Sequence, residues 1–201
     1  MFKKKLKLDL SNFKFMVIGV SAGGMEALSK LLPSFPKNFP LPIVIIQHLH
    51  KNCTGYYIEY YNEKCALFVK EAKHYEKIEA GNIYFAPPDY HLLIEENKTL
   101  SLTIDEKVNY SRPSIDVLFE SAAEVFQEKL IGIILTGANS DGTEGMKIIK
   151  QNGGLTIAQN PLEAEFPIMP QSAIDSGSID LILTLQEMTI EFSRWNNKEK
   201  K

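Results

Sequence analysis

Cysteine is nearly absent: Cys53 and Cys65 are the only two in 201 residues. Their spacing fits neither a zinc cluster nor a redox pair, and two cysteines make no disulfide framework, so both are expected as free thiols. No excess of positive charge exists either. The 22 Lys+Arg stand against 25 Asp+Glu, a formal net charge of −3, which removes the electrostatic footprint that nucleic-acid binding relies on. The few basic runs are terminal, Lys3, Lys4, Lys5 and Lys7 at one end and Lys198, Lys200 and Lys201 at the other, and read as solvated ends. No apolar run approaches the roughly 20 residues of a bilayer span. The basic start does not lead into a secretory leader, because Lys14 interrupts and the run after it is short. The expectation is a protein without membrane insertion, cytoplasmic by default. Repeats, low-complexity tracts and Pro/Gly/Ser linkers are also missing, so one domain is expected over residues 13–195, with tails at 1–12 and 196–201.

What the chain does have is a series of short, continuously apolar runs. Phe15–Val20, Pro42–His48, Ala66–Lys70, Ile83–Pro87, Leu130–Gly137, Leu155–Gln159 and Asp180–Leu185 read as strands, several too apolar for a half-exposed sheet. Helical spacing lies between many of them, at Met25–Leu32, Gly55–Lys64, Ile115–Lys129 and Thr143–Gln151. The alternation predicts an α/β fold: a doubly wound, mostly parallel sheet with helices on both faces, a Rossmann-like three-layer arrangement. His91–Asp105 departs from it, alternating apolar and polar residues around Asn97-Lys98 as a small surface hairpin would.

In such sheets the working groups collect beyond the carboxyl ends of the strands. The first of these ends, in FMVIGVSAGGMEAL, carries glycines suited to a phosphate or a serine suited to attack. A dinucleotide fingerprint needs glycine where Ser21 stands, an acidic end to the second strand where His48 stands, or else a Walker lysine, which is missing. Ser21 could be a plain helix N-cap. It could also be a nucleophile on a turn whose N–H groups, with Ala22 and Gly23, face a developing oxyanion.

The partners favour the second reading. His48 ends the second strand and Asp141 follows LIGIILTG, so a hydroxyl, an imidazole and a carboxylate are each expected at a strand end. Those are the types a hydroxyl-nucleophile triad requires. A metal site built from His48, His50 and Cys53 lacks further ligands at suitable spacing, and the N-S-D-G at Asn139–Gly142 lacks the other ligands of a calcium loop. No metal or organic cofactor is expected. His74 and His91 read as surface residues. In SRPSIDVLF, Ser114 and Asp116 are expected to cap the helix, while Arg112 is expected to contact substrate.

GVSAGGMEAL, VIIQHL, IYFAPPDYHLLI, RPSIDVLFESAA, GIILTGANSDGTEGM, GGLTIAQN and MPQSAI occur in an order and spacing that resembles the catalytic domain of the chemotaxis receptor methylesterases, the CheB family. The likeness runs from about Phe15 to about Leu185. It implies a serine hydrolase acting on glutamate methyl esters in chemoreceptor helices, in some members also deamidating glutamine. By position, Ser21 is implied as nucleophile, His48 as base, Asp141 as its orienting carboxylate and Ala138 as an oxyanion donor.

Departures from the family pattern stand at Ala138 and Asn139, where Met and Gly are common, at His50 for a proline, and at Gln171 for an arginine. Asn139 replaces a glycine, and Asn is among the few residues that tolerate a positive φ, so the loop is expected to survive the change. Only about a dozen residues precede the first strand, so control by a covalently attached receiver is not expected. A separate response regulator, constitutive activity and a different target are the open alternatives. So is a docking module without turnover on the same fold.

Overall fold

The computed structural model describes residues 9–49 and 55–194. Seven strands form one parallel sheet: β1 (Phe15–Val20), β2 (Ile43–Gln47), β3 (Phe68–Glu71), β4 (Asn82–Phe85), β7 (Leu130–Ile134), β8 (Leu155–Gln159) and β9 (Leu181–Leu183). Their order is β3-β4-β2-β1-β7-β8-β9, and β5 (His91–Ile94) with β6 (Leu100–Thr103) makes a separate antiparallel hairpin. The doubly wound expectation is met. The chain builds outward from β1 on one side, then returns to its other side at β7, so the topological switch falls between those two strands.

Continuous apolarity in β1, β2 and β7 has a direct cause: every residue of all three is buried, because both faces of the sheet are covered. Alternate residues feed two cores. Met16, Ile18, Ile45 and Ile133 pack with α1 (Gly24–Leu31), α2 (Tyr56–Asn62) and α6 (Leu185–Ser193). Phe15, Val17, Val44 and Ile134 pack with α3 (Ile115–Phe126), α4 (Thr143–Gln151) and α5 (Ile168–Asp175). The hairpin lies on this second face, burying Leu92, Ile94 and Leu100.

Two helices, α5 and α6, were not among the expected elements. The run expected as a strand to Leu185 ends at Leu183 because Thr184 caps α6, in a reciprocal box with Glu187. The helix expected through Lys129 stops at Phe126 and tightens into a 3-10 turn over Gln127–Lys129.

Two glycines bring a helix onto the central strands. A Cβ at Gly19 of β1 would lie 2.4 Å from Ile115 Cγ2, and one at Gly142 would lie 2.7 Å from the same atom. Ile115, the first residue of α3, thus sits between the two backbones. The N-terminus of α3 is brought in contact with the loop that follows β7.

Candidate active site

Ser21, His48 and Asp141 follow β1, β2 and β7, which are neighbours at the centre of the sheet. Backbone bonds continue the ladder past the strand ends: His48 N–H donates to Val20 O at 3.0 Å and Ser21 N–H to Thr136 O at 3.0 Å. The three loops therefore leave the sheet in fixed register. His48 Nδ1 lies 3.2 Å from Ser21 Oγ, and its Nε2 lies 2.9 Å from Asp141 Oδ2. The imidazole is 14% exposed and the carboxylate fully buried.

Asp141 is held at several points. Its Oδ2 also accepts from Ile115 N–H at 2.8 Å, and its Oδ1 from the Ser114 hydroxyl at 2.8 Å and Asp116 N–H at 3.2 Å. The carboxylate caps α3 from another loop, where the free N–H groups and helix dipole favour negative charge. Burial alone would push its pKa up. The hydrogen bond from His48, the Ile115 N–H, the His48 charge and the Ser114 hydroxyl outweigh burial and hold the carboxyl below its ordinary value.

This corrects the capping expectation for Ser114 and Asp116. Ser114 is the N-cap residue by position, but its side chain makes no cap bond and serves Asp141 instead. The Asp116 carboxylate turns away from its own helix, accepting from Gly145 N–H in α4 at 2.8 Å and from Asn109 Nδ2 at 2.8 Å. Burial, chiefly, and the charge of Asp141 raise the Asp116 pKa to about 6, against the lowering effect of the Gly145 N–H.

One further expectation is corrected. His91 is buried, 2% exposed, because both ring nitrogens find backbone partners: Nδ1 accepts from Ser114 N–H at 3.2 Å and Nε2 donates to Glu106 O at 3.0 Å. Asn139 is not among the residues with positive φ; Gly142 is, at +96°. Asn139 Oδ1 instead accepts from Asp141 N–H at 3.2 Å, so its side chain shapes the turn that a flexible backbone would otherwise have to make. His74 is exposed, as expected.

Around Ser21 the backbone is tightly tied. Gly23 has φ +77°, and a Cβ there would meet Glu165 and Thr136. The Thr136 hydroxyl donates to Ala22 O at 3.0 Å and accepts from Phe166 N–H at 2.9 Å, joining the loops after β1, β7 and β8. Composition gave no signal for Thr136 or for the Ser114 clasp. The N–H groups of Ala22, Gly23 and Ala138 donate to no acceptor among the described residues.

Beside His48 opens a cleft of about 390 Å³, lined by Asp89, Lys107, Tyr110, Ser111 and Arg112 among others. Arg112 spends most of its donors within the fold. Nε and Nη2 reach Asp89 Oδ1 at 3.1 and 2.9 Å, while Nη1 reaches the carbonyls of Ile104 and Asp105 at 2.7 and 3.0 Å. One Nη2 hydrogen is left without an acceptor among the described residues. A larger depression, about 510 Å³, lies at the opposite end of the sheet beside Lys14 and Lys129 and holds none of these groups.

Among the described residues no cluster of His, Cys, Asp and Glu could hold a metal ion, and no helix is long and apolar enough to cross a membrane. Cys65 carries a free thiol whose pKa burial pushes up to about 11. His50 and Cys53 lie outside the described residues.

A doubly wound parallel sheet with a hydroxyl, an imidazole and a carboxylate bonded in series at its switch point defines a class: three-layer α/β proteins with a Ser-His-Asp constellation. The comparisons with known proteins narrow it. Residues 16–192 match the CheB methylesterase family, and the chain belongs to that family. It is 51% identical over 192 residues to a putative protein-glutamate methylesterase/protein-glutamine glutaminase of Leptospira interrogans, covering 94% of this chain and all of that one. It is 33% identical to the protein-glutamate methylesterase/protein-glutamine glutaminase of Clostridium acetobutylicum, covering 92% of this chain and 54% of that longer protein. The crystal structure of the Thermotoga maritima CheB methylesterase catalytic domain superposes with a TM-score of 0.87 at 35% identity, covering 90% of this chain and 98% of the other.

Proposed function

We propose that the protein is a protein-glutamate methylesterase that removes methyl esters from glutamate side chains of methylated chemoreceptor helices, with Ser21 as nucleophile, His48 as base and Asp141 as its orienting carboxylate. The observation that carries this reading is the unbroken bond series Ser21 Oγ, His48 Nδ1, His48 Nε2, Asp141 Oδ2.

The direction of the series sets the chemistry. Because Asp141 holds a carboxylate against Nε2, that nitrogen carries the hydrogen and Nδ1 is left as the acceptor. Ser21 Oγ attacks the ester carbonyl as its proton passes to Nδ1, and the imidazolium that forms faces the Asp141 charge. The tetrahedral oxyanion is received by N–H groups of Ala22, Gly23 and Ala138, each without a competing acceptor among the described residues. On collapse, the carbon–methoxy bond breaks and methanol leaves with the proton from Nδ1. Water then gives a proton to His48 and its hydroxyl to the acyl carbon, restoring Ser21 and leaving glutamate. With ammonia in place of methanol, the same steps deamidate glutamine. Arg112 lies in the cleft wall with one hydrogen for a substrate carbonyl.

The test is release of methanol from a chemoreceptor cytoplasmic fragment carrying labelled methyl esters. Wild type should release it. Ser21→Ala should lose at least about 10³-fold of that rate while keeping the wild-type thermal transition. Release by Ser21→Ala at the wild-type rate sinks the assignment, and no release by wild type favours a docking module on the same fold.

A further inference from the structure

The cleft beside His48 has an unusual wall. Between Val108 and Ser111 the chain makes a tight turn closed by reciprocal backbone bonds, Ser111 N–H to Val108 O at 2.8 Å and Val108 N–H to Ser111 O at 3.2 Å. Its two central residues, Asn109 and Tyr110, have φ of 50° and 62°. These are the features of a type I′ turn, whose second central position favours glycine because a Cβ is strained there. Here that position carries a tyrosine.

The Tyr110 ring itself offsets none of this strain among the described residues. The Tyr110 side chain is 97% exposed, so the ring gains no burial, and it makes no hydrogen bond among the described residues. Yet the turn is held firmly. Asn109 Nδ2 donates to Asp116 Oδ2, and Asp116 N–H donates to the Asp141 carboxylate, so the turn is tied to the same network that holds His48. On its far side Arg112 grips the carbonyls of Ile104 and Asp105. Ile104 and Val108, 70% and 37% exposed, extend the apolar surface along the same segment.

We infer that Tyr110 is a specificity-determining residue: the turn displays its ring at the wall of the His48 cleft, where it packs on an apolar side chain next to the esterified glutamate and so favours a protein segment over a small ester. The inference rests on the methylesterase reading. A large, rigid aromatic gains affinity at little entropic cost when a partner covers it, and this ring is uncovered in the free protein.

The experiment compares two substrates bearing the same reacting group: the labelled methylated chemoreceptor fragment, and the γ-methyl ester of N-acetylglutamate amide. For Tyr110→Ala, the ratio of kcat/KM for the fragment to that for the small ester should fall about five- to ten-fold, carried by KM for the fragment rather than by kcat. Tyr110→Phe should restore the ratio. Tyr110→Gly, which removes the strain, should unfold at a temperature no lower than wild type while losing the ratio as Tyr110→Ala does. A ratio within two-fold of wild type in both the Ala and Gly variants overturns the inference while leaving the methylesterase reading standing. If wild type itself releases no methanol from the fragment, that reading fails and this inference falls with it.

Discussion

His48 Nε2 lies 2.9 Å from the buried Oδ2 of Asp141, and that contact decides which face of the imidazole meets Ser21. The carboxylate accepts; the ring must donate from Nε2; the lone pair is left on Nδ1, 3.2 Å from the hydroxyl. Asp141 is itself oriented by the first residues of α3, so the helix acts on the serine through two intermediates.

Asp141→Asn preserves shape while removing that decision. An amide can present hydrogens to Nε2 and so favour the tautomer with its proton on Nδ1, which cannot accept from Ser21. The expected loss in kcat is about 10³- to 10⁴-fold, with little change in KM. Steady-state methanol release checks it, and a loss under ten-fold would mean the tautomer is not set by this contact.

Gly19→Ala probes how the helix reaches the site. The added methyl would stand 2.4 Å from Ile115 Cγ2, with Ile134 Cδ1 at 3.1 Å behind it. Both neighbours are fully buried, so α3 must shift. Overpacking of this kind costs about 1–3 kcal/mol. Urea unfolding should show a lower midpoint, and activity should fall further than stability alone explains, since the Ile115 N–H moves off Asp141. An unchanged midpoint would contradict the close approach.

The buried carboxylates at this site respond to pH in opposite senses. Asp116 has a folded pKa raised from 3.8 to about 6. Its contribution to stability is present in full below 3.8 and is lost as pH rises through about 6, because the folded state holds the proton more tightly. Asp141 is lowered, so its contribution is present above the ordinary carboxylate value and is lost as pH falls through its folded value. Asp116→Asn, permanently uncharged, should therefore gain stability relative to wild type as pH rises from 4 to 7, by denaturant titration at each pH. A constant difference between the two proteins across that range would remove Asp116 from the account.

The central sheet was legible because β1, β2 and β7 are buried on both faces, which leaves no room for polar residues and makes the runs plain. Strand ends were legible for the same reason, and with them Ser21, His48 and Asp141 as residues brought together. What surrounds them was not. The acceptor for the α3 N-terminus comes from Asp141, 26 positions after Ile115, and local capping rules search only the next few residues. His91 opens a polar-looking hairpin, but two backbone partners make its burial possible, and backbone groups leave no trace in a sequence pattern. Helix α6 did leave a signal, Thr184 followed by Glu187, that a strand-like run ending at Leu185 obscured. Helix α5 contains Pro170 and presents little apolar periodicity, since only Met169, Pro170 and Ala173 are buried.

Whether Ser21 is activated by its neighbours is tested most directly by a serine-directed fluorophosphonate followed by peptide mass spectrometry. The account predicts a single adduct on the peptide containing Ser21, forming at least about 10²-fold more slowly in His48→Ala, with the thermal transition unchanged. Labelling at another serine, or at Ser21 with the same rate in both proteins, would contradict it.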